Sequence, residues 1–159
     1  MSKHDLAASY HQFDAFGATS VGQIVALYDR ILRDLHRAQE ATGSGEIEER
    51  VNCTNHALIV IGELQSVLDF ESGGEPARRL NSFYRVARAL ATEASITNSR
   101  EKYAEVIGMF ARLRAAWSKA EKSVPDAGDR APSGAKQTPP YGTSAPPAVE
   151  SSRSGGWKA

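Results

Sequence analysis

The stretch NHALIVIGELQSVLDF, from Asn55 to Phe70, reads as one helix with more apolar surface than a single packing contact requires. At about 100° per residue, Leu58, Ile61, Leu64 and Leu68 fall on one stripe. Cys53, Val60 and Val67, spaced by sevens, widen that stripe to roughly half the circumference. A surface helix of a small domain shows a narrower one. The surplus face must meet another helix, a second copy or a bound partner, and it points to binding rather than catalysis.

Working outward, three more helical patterns appear and no convincing strand. The first opens at Thr19 or Ser20, where Ser20 and Gln23 have capping-box spacing. Val21, Ile24, Tyr28, Ile31, Leu35 and Ala38 then recur at threes and fours, and Gly43 and Gly45 end the helix near Thr42. The second runs from about Glu46 to Phe70, with Glu46, Glu48 and Glu49 in its favourable first turn. Ser72, Gly73 and Gly74 read as the break, and Pro76 is acceptable early in the third helix. Leu80, Phe83, Ala87, Leu90 and Ala94 give that helix its core stripe. Asn98 or Ser99 caps the fourth, lined by Tyr103, Ile107, Phe110, Leu113 and Trp117 and widened by Val106 and Met109. Short connections make neighbours antiparallel, so the expected fold is an all-α, up-down-up-down four-helix bundle over residues 19–123.

Two flanks complete the organisation. Residues 1–18 read as a mobile or docked arm carrying Tyr10, Phe13 and Phe16. From residue 124 the chain turns rich in Pro, Gly, Ser and Ala, with six of its seven prolines, and cannot bury enough apolar area to offset the entropy of ordering. A disordered tail over 124–159 is expected, with Tyr141 and Trp157 as its aromatics.

Nineteen basic and nineteen acidic residues cancel, so no global field draws the 159-residue chain to nucleic acid or an anionic membrane. Arg78, Arg85 and Arg88, with Arg79 nearby, form a local basic face on helix three that reads as solvated, or as a dock for an acidic partner. Cys53 is alone, which excludes an intrachain disulfide and fits a buried thiol in a reducing compartment. No signal peptide or bilayer-spanning apolar run is evident, so membrane insertion is not expected.

Reactive chemistry finds little support. Cys53 and His56 are three apart on one helix, but no oxyanion-forming glycine loop accompanies them. Neither His36 nor His56 has the Glu three residues earlier that bundle metal sites use; Arg33 and Cys53 stand there instead. A histidine phosphotransfer bundle is the sharper rival, but Asn55, Leu58, Ile59 and Val60 give His56 no lysine and no polar platform. A self-pairing structural bundle is the other alternative. No enzyme activity, cofactor or metal is expected.

Several elements in order resemble the flagellar secretion chaperone family FliS. Tyr10 and Gln12 resemble its N-terminal Tyr-Gln element, and Leu27-Tyr28-Asp29 its Leu-Tyr-Asp signature. Ala57, Ile59 to Ile61, Glu63-Leu64 and Ser66 to Asp69 resemble its second-helix pattern. Gly73-Gly74-Glu75, Leu80 and Phe83-Tyr84 resemble its Gly-Gly-Glu turn and third helix, and Leu113-Arg114-x-Ala116-Trp117 its closing helix. Arg30 departs from the small residue frequent after Leu-Tyr-Asp, and Ser20 from a frequent proline.

The resemblance implies a monomeric cytoplasmic export chaperone, 1:1 with its client. It would bind the disordered C-terminal segment of flagellin, prevent premature polymerisation and engage a component of the export gate. Apolar grooves between helices suit that task, because capture of a disordered segment must outweigh an ordering cost on the order of 2–5 kcal/mol. Tyr10, Leu27, Tyr28, Ile31, Val60, Leu64, Val67, Phe83 and Tyr84 are the expected client contacts, with Tyr10 and Phe13 as plugs of the free state. On this reading, Val60→Asp with Val67→Asp abolishes binding and leaves helicity largely intact.

Overall fold

A computed structural model describes residues 14–123. Tyr10, Phe13, the rest of the expected arm before Asp14, and the expected tail from Val124 on lie outside those residues. Four helices follow in order: α1 (Val21–Ser44), α2 (Ile47–Ser66), α3 (Phe70–Thr97) and α4 (Arg100–Ser123). Helix α1 packs between α2 and α4, and α3 closes the ring. Partners across each seam climb on one helix as they descend on the other. Arg37 meets Glu49 while Asp34 meets His56, and Gln39 meets the Arg100 carbonyl while Asp29 meets Arg114. Arg50 meets Asn98 while Gln65 meets Asn81, and Glu93 meets Lys102 while Phe83 meets Phe110. Neighbours are therefore antiparallel, as their short connections require.

Local signals set most ends. Ser20 and Gln23 form the capping box in both directions, each donating a backbone N–H to the other's side-chain oxygen. Gly45 closes α1 in the left-handed region, and Asn98 does the same for α3. Ser99 Oγ accepts from Lys102 N at 3.2 Å and so starts α4. The α2–α3 boundary departs from expectation. Helix α2 stops at Ser66, and α3 starts at Phe70, ahead of both glycines. Asp69 decides this, because its carboxylate accepts from the backbone of Glu71 and Ser72 and nucleates a turn there. The glycine break survives as a kink inside α3, where Gly74 has φ 50° and ψ −129°.

The core joins Ile24, Tyr28, Ile31 and Leu35 of α1 with Ala57, Val60, Ile61 and Leu64 of α2. Tyr84 with the alanines 87, 91 and 94 from α3, and Tyr103, Val106, Phe110 and Trp117 from α4, complete it. Two buried hydroxyl pairs tie opposite helices: Tyr28 to Tyr84 at 2.6 Å, and Thr54 to Tyr103 at 2.7 Å. The inner end of the arm is docked. Ala15 and Phe16 are buried, the Ala15 carbonyl accepts from Asp69 N at 2.8 Å, and Phe16 meets Trp117 edge-on at 5.2 Å.

Candidate binding groove

The kink at Gly74, where a Cβ would meet nothing within 4 Å, lies at the head of a furrow beside the start of α3. Leu80 and Phe83 of α3 and Leu113 and Trp117 of α4 form its apolar walls, with Gly73, Gly74 and Pro76 at its head. Its volume is about 740 Å³. Glu75 and Arg79 stand at the rim and pair at 3.2 Å, leaving the interior greasy and the edge polar. Phe83 is held edge-on to Phe110 at 5.3 Å and to Tyr84 at 5.6 Å, which fixes the ring in the wall. Gly73 has a packing reason for lacking a side chain, since a Cβ there would sit 2.5 Å from Ala15 Cα.

The expected contacts divide. Tyr28, Ile31, Val60, Leu64 and Tyr84 are closed inside the bundle rather than presented on a groove. For Val60 the reason is register: on α2 it shares the inward stripe with Ala57, Ile61 and Leu64, while Ile59 and Val67 turn outward. Val67 is 39 % exposed, Met109 is half-buried, and Leu27 half-buried in a shallow surface hollow on α1. Of the eight that are described, Phe83 alone lines the main furrow. Leu80, Leu113 and Trp117 read as core stripe in the sequence, and the clue to their second role is the Gly-Gly-x-Pro run that strips side chains from the facing turn.

Polar groups follow the same logic. His56 accepts at Nε2 from Arg30 Nη2 (3.2 Å), because a guanidinium can only donate, so Nδ1–H donates to the largely buried Asp34. Both ring nitrogens are thus engaged on the α1–α2 seam. Arg30 is the residue that the family resemblance marked as unusual. Burial, then the hydrogen bond to Glu49, pushes the Cys53 thiol up to about 11, which makes it a poor nucleophile. Arg78 and Arg79 both pair with Glu75, and Arg88 donates to Gln65 Oε1, so much of the basic face is internally engaged. Among the described residues, no cluster of three or more His, Cys, Asp or Glu could hold a metal, and no helix is long and apolar enough to cross a membrane.

The family model described as "Flagellar protein FliS" matches residues 2–124. The chain belongs to the FliS family. A flagellar secretion chaperone FliS of Campylobacter jejuni is 31% identical over 116 residues, covering 72% of this chain and 91% of that protein. The flagellar secretion chaperone FliSB of Pseudomonas aeruginosa is 30% identical over 86 residues, covering 54% and 68%. FliS is a chaperone family rather than an enzyme family. Within this FliS chain the signature residues meet one another. Arg114 donates to both carboxylate oxygens of Asp29, and Tyr84 binds Tyr28, so three of the motifs lock α1, α3 and α4 together.

Proposed function

We propose that the chain is a cytoplasmic export chaperone that holds the disordered C-terminal segment of flagellin, one chaperone per client. It prevents premature polymerisation and aids delivery to the flagellar type III export gate. The observation that carries this reading is the furrow of about 740 Å³ walled by Leu80, Phe83, Leu113 and Trp117, apolar within and polar at the rim. Each apolar anchor buried there contributes about 1.5–3 kcal/mol, and a few suffice to offset the ordering of the segment. Family membership and the printed names of the relatives point the same way. Tyr10, Leu27, Val67 and Phe83 act as direct contacts, while Tyr28, Ile31, Val60, Leu64 and Tyr84 set the shape from beneath.

Light scattering and calorimetry on the chain, with and without the flagellin C-terminal segment encoded in the same genome, test the proposal. A monomer that forms a 1:1 complex is expected, and Leu113→Glu should weaken it about ten- to hundredfold while circular dichroism stays unchanged. Self-association without capture of the segment would sink the reading.

A further inference from the structure

Resting on that chaperone reading, we infer that the seam between α2 and α3, near the end remote from the furrow, is a second client subsite that takes a carboxylate flanked by apolar residues. Arg50 is the residue that receives it. It is the one buried basic residue among those described, 8 % exposed. Its Nη1 donates to Asn98 Oδ1, yet its Nε has no acceptor and no described carboxylate lies within salt-bridge distance. The other buried polar side chains are answered: Asp34 by His56, Thr42 by the Ala38 carbonyl, and Thr54 by the Arg50 carbonyl and Tyr103. Of the guanidinium's five N–H donors, the one on Nε is both buried and without an acceptor. A buried cation left that way is costly, and an incoming carboxylate would relieve it with charge-assisted hydrogen bonds.

The surroundings choose the class of ligand. Arg50 lines a groove of about 390 Å³ together with Val51, Leu58 and Ile96. Ile96 is 78 % exposed and Val51 38 %. A small inorganic anion would leave that apolar rim wet. A peptide segment with an acidic residue among apolar ones satisfies both features. Phe83 of the furrow and Ile96 of this groove lie on one helix, about 20 Å apart at 1.5 Å per residue but on its α4 and α2 sides, so a client segment that reaches both crosses over α3.

The test is calorimetry of the same flagellin segment against wild type, Arg50→Met and Ile96→Glu, with each acidic residue of the segment changed in turn to its amide. Arg50→Met should weaken binding at least about tenfold and flatten its salt dependence, while its melting temperature holds or rises. One acid-to-amide change should cost wild type about tenfold and Arg50→Met nothing. Ile96→Glu, at an exposed position, should fold normally and bind poorly. Equal affinity for wild type and Arg50→Met, or no coupling to any acid of the segment, overturns the subsite and leaves the chaperone reading intact. Failure of wild type to bind the segment removes both.

Discussion

The Tyr28 hydroxyl lies 2.6 Å from the Tyr84 hydroxyl, bridging α1 and α3 through the middle of the bundle, with both side chains fully buried. Each group answers the other. Removing one orphans its partner at a cost of about 1–3 kcal/mol, whereas removing both leaves two phenyl rings of nearly the same shape. Urea denaturation should therefore show Tyr28→Phe and Tyr84→Phe each destabilising, and the double variant far less destabilised than their sum.

Burial drives both tyrosines well above their ordinary value of 10.0, and Cys53 from 9.0 to about 11. Each is held neutral in the folded state and ionises more readily in the unfolded one. Their stabilising contribution is complete below the unfolded values and is lost as pH rises through the folded ones. Melting temperature should fall from pH 9 upward, and part of that fall, between pH 9 and 11, should vanish in Cys53→Val. Thiol-reagent labelling of Cys53 should be slow at pH 8.

Val60 is 2 % exposed and Val67 39 %, although seven residues separate them. The helix ends between them, so the spacing that unites them in sequence does not unite them in space. Val60→Asp should cost at least about 3 kcal/mol and unfold much of the population, while Val67→Asp stays within about 1 kcal/mol. Circular dichroism of the two single variants separates them. The expectation that both can be charged without loss of helicity does not survive.

Gly73→Ala should be harmful despite alanine's better helix propensity. The new methyl would meet Ala15 Cα at 2.5 Å and Ala77 Cβ at 2.9 Å, and backbone cannot swing aside as a flexible side chain would. A loss of about 1–3 kcal/mol is expected. In a Trp157→Phe background, tryptophan emission should also shift, because Phe16 packs directly on Trp117.

The helices and their order were legible because each carries a long amphipathic repeat and an explicit cap, as at Ser20. What periodicity could not tell was which apolar residues are left over. Tyr28 and Tyr84 looked like client contacts because they belong to family signatures, yet those signatures turn out to join helices to one another. Trp117 looked like pure core, yet it also walls the furrow. Arg50 stands three residues before Cys53 on an inward stripe, where a charge is out of place. A stripe gives a direction on one helix. Whether that direction is roofed depends on the neighbour's side chains, and at Gly74 there is none.

The Thr54–Tyr103 bond crosses the bundle on the diagonal opposite to Tyr28–Tyr84. Sliding or rolling any one helix would strand a hydroxyl in oil. The four rods are pinned in register like crossed guy-wires, so prising them apart costs a guest about 1–3 kcal/mol for each hydroxyl it orphans. A chaperone built this way favours cargo on the outside of its frame.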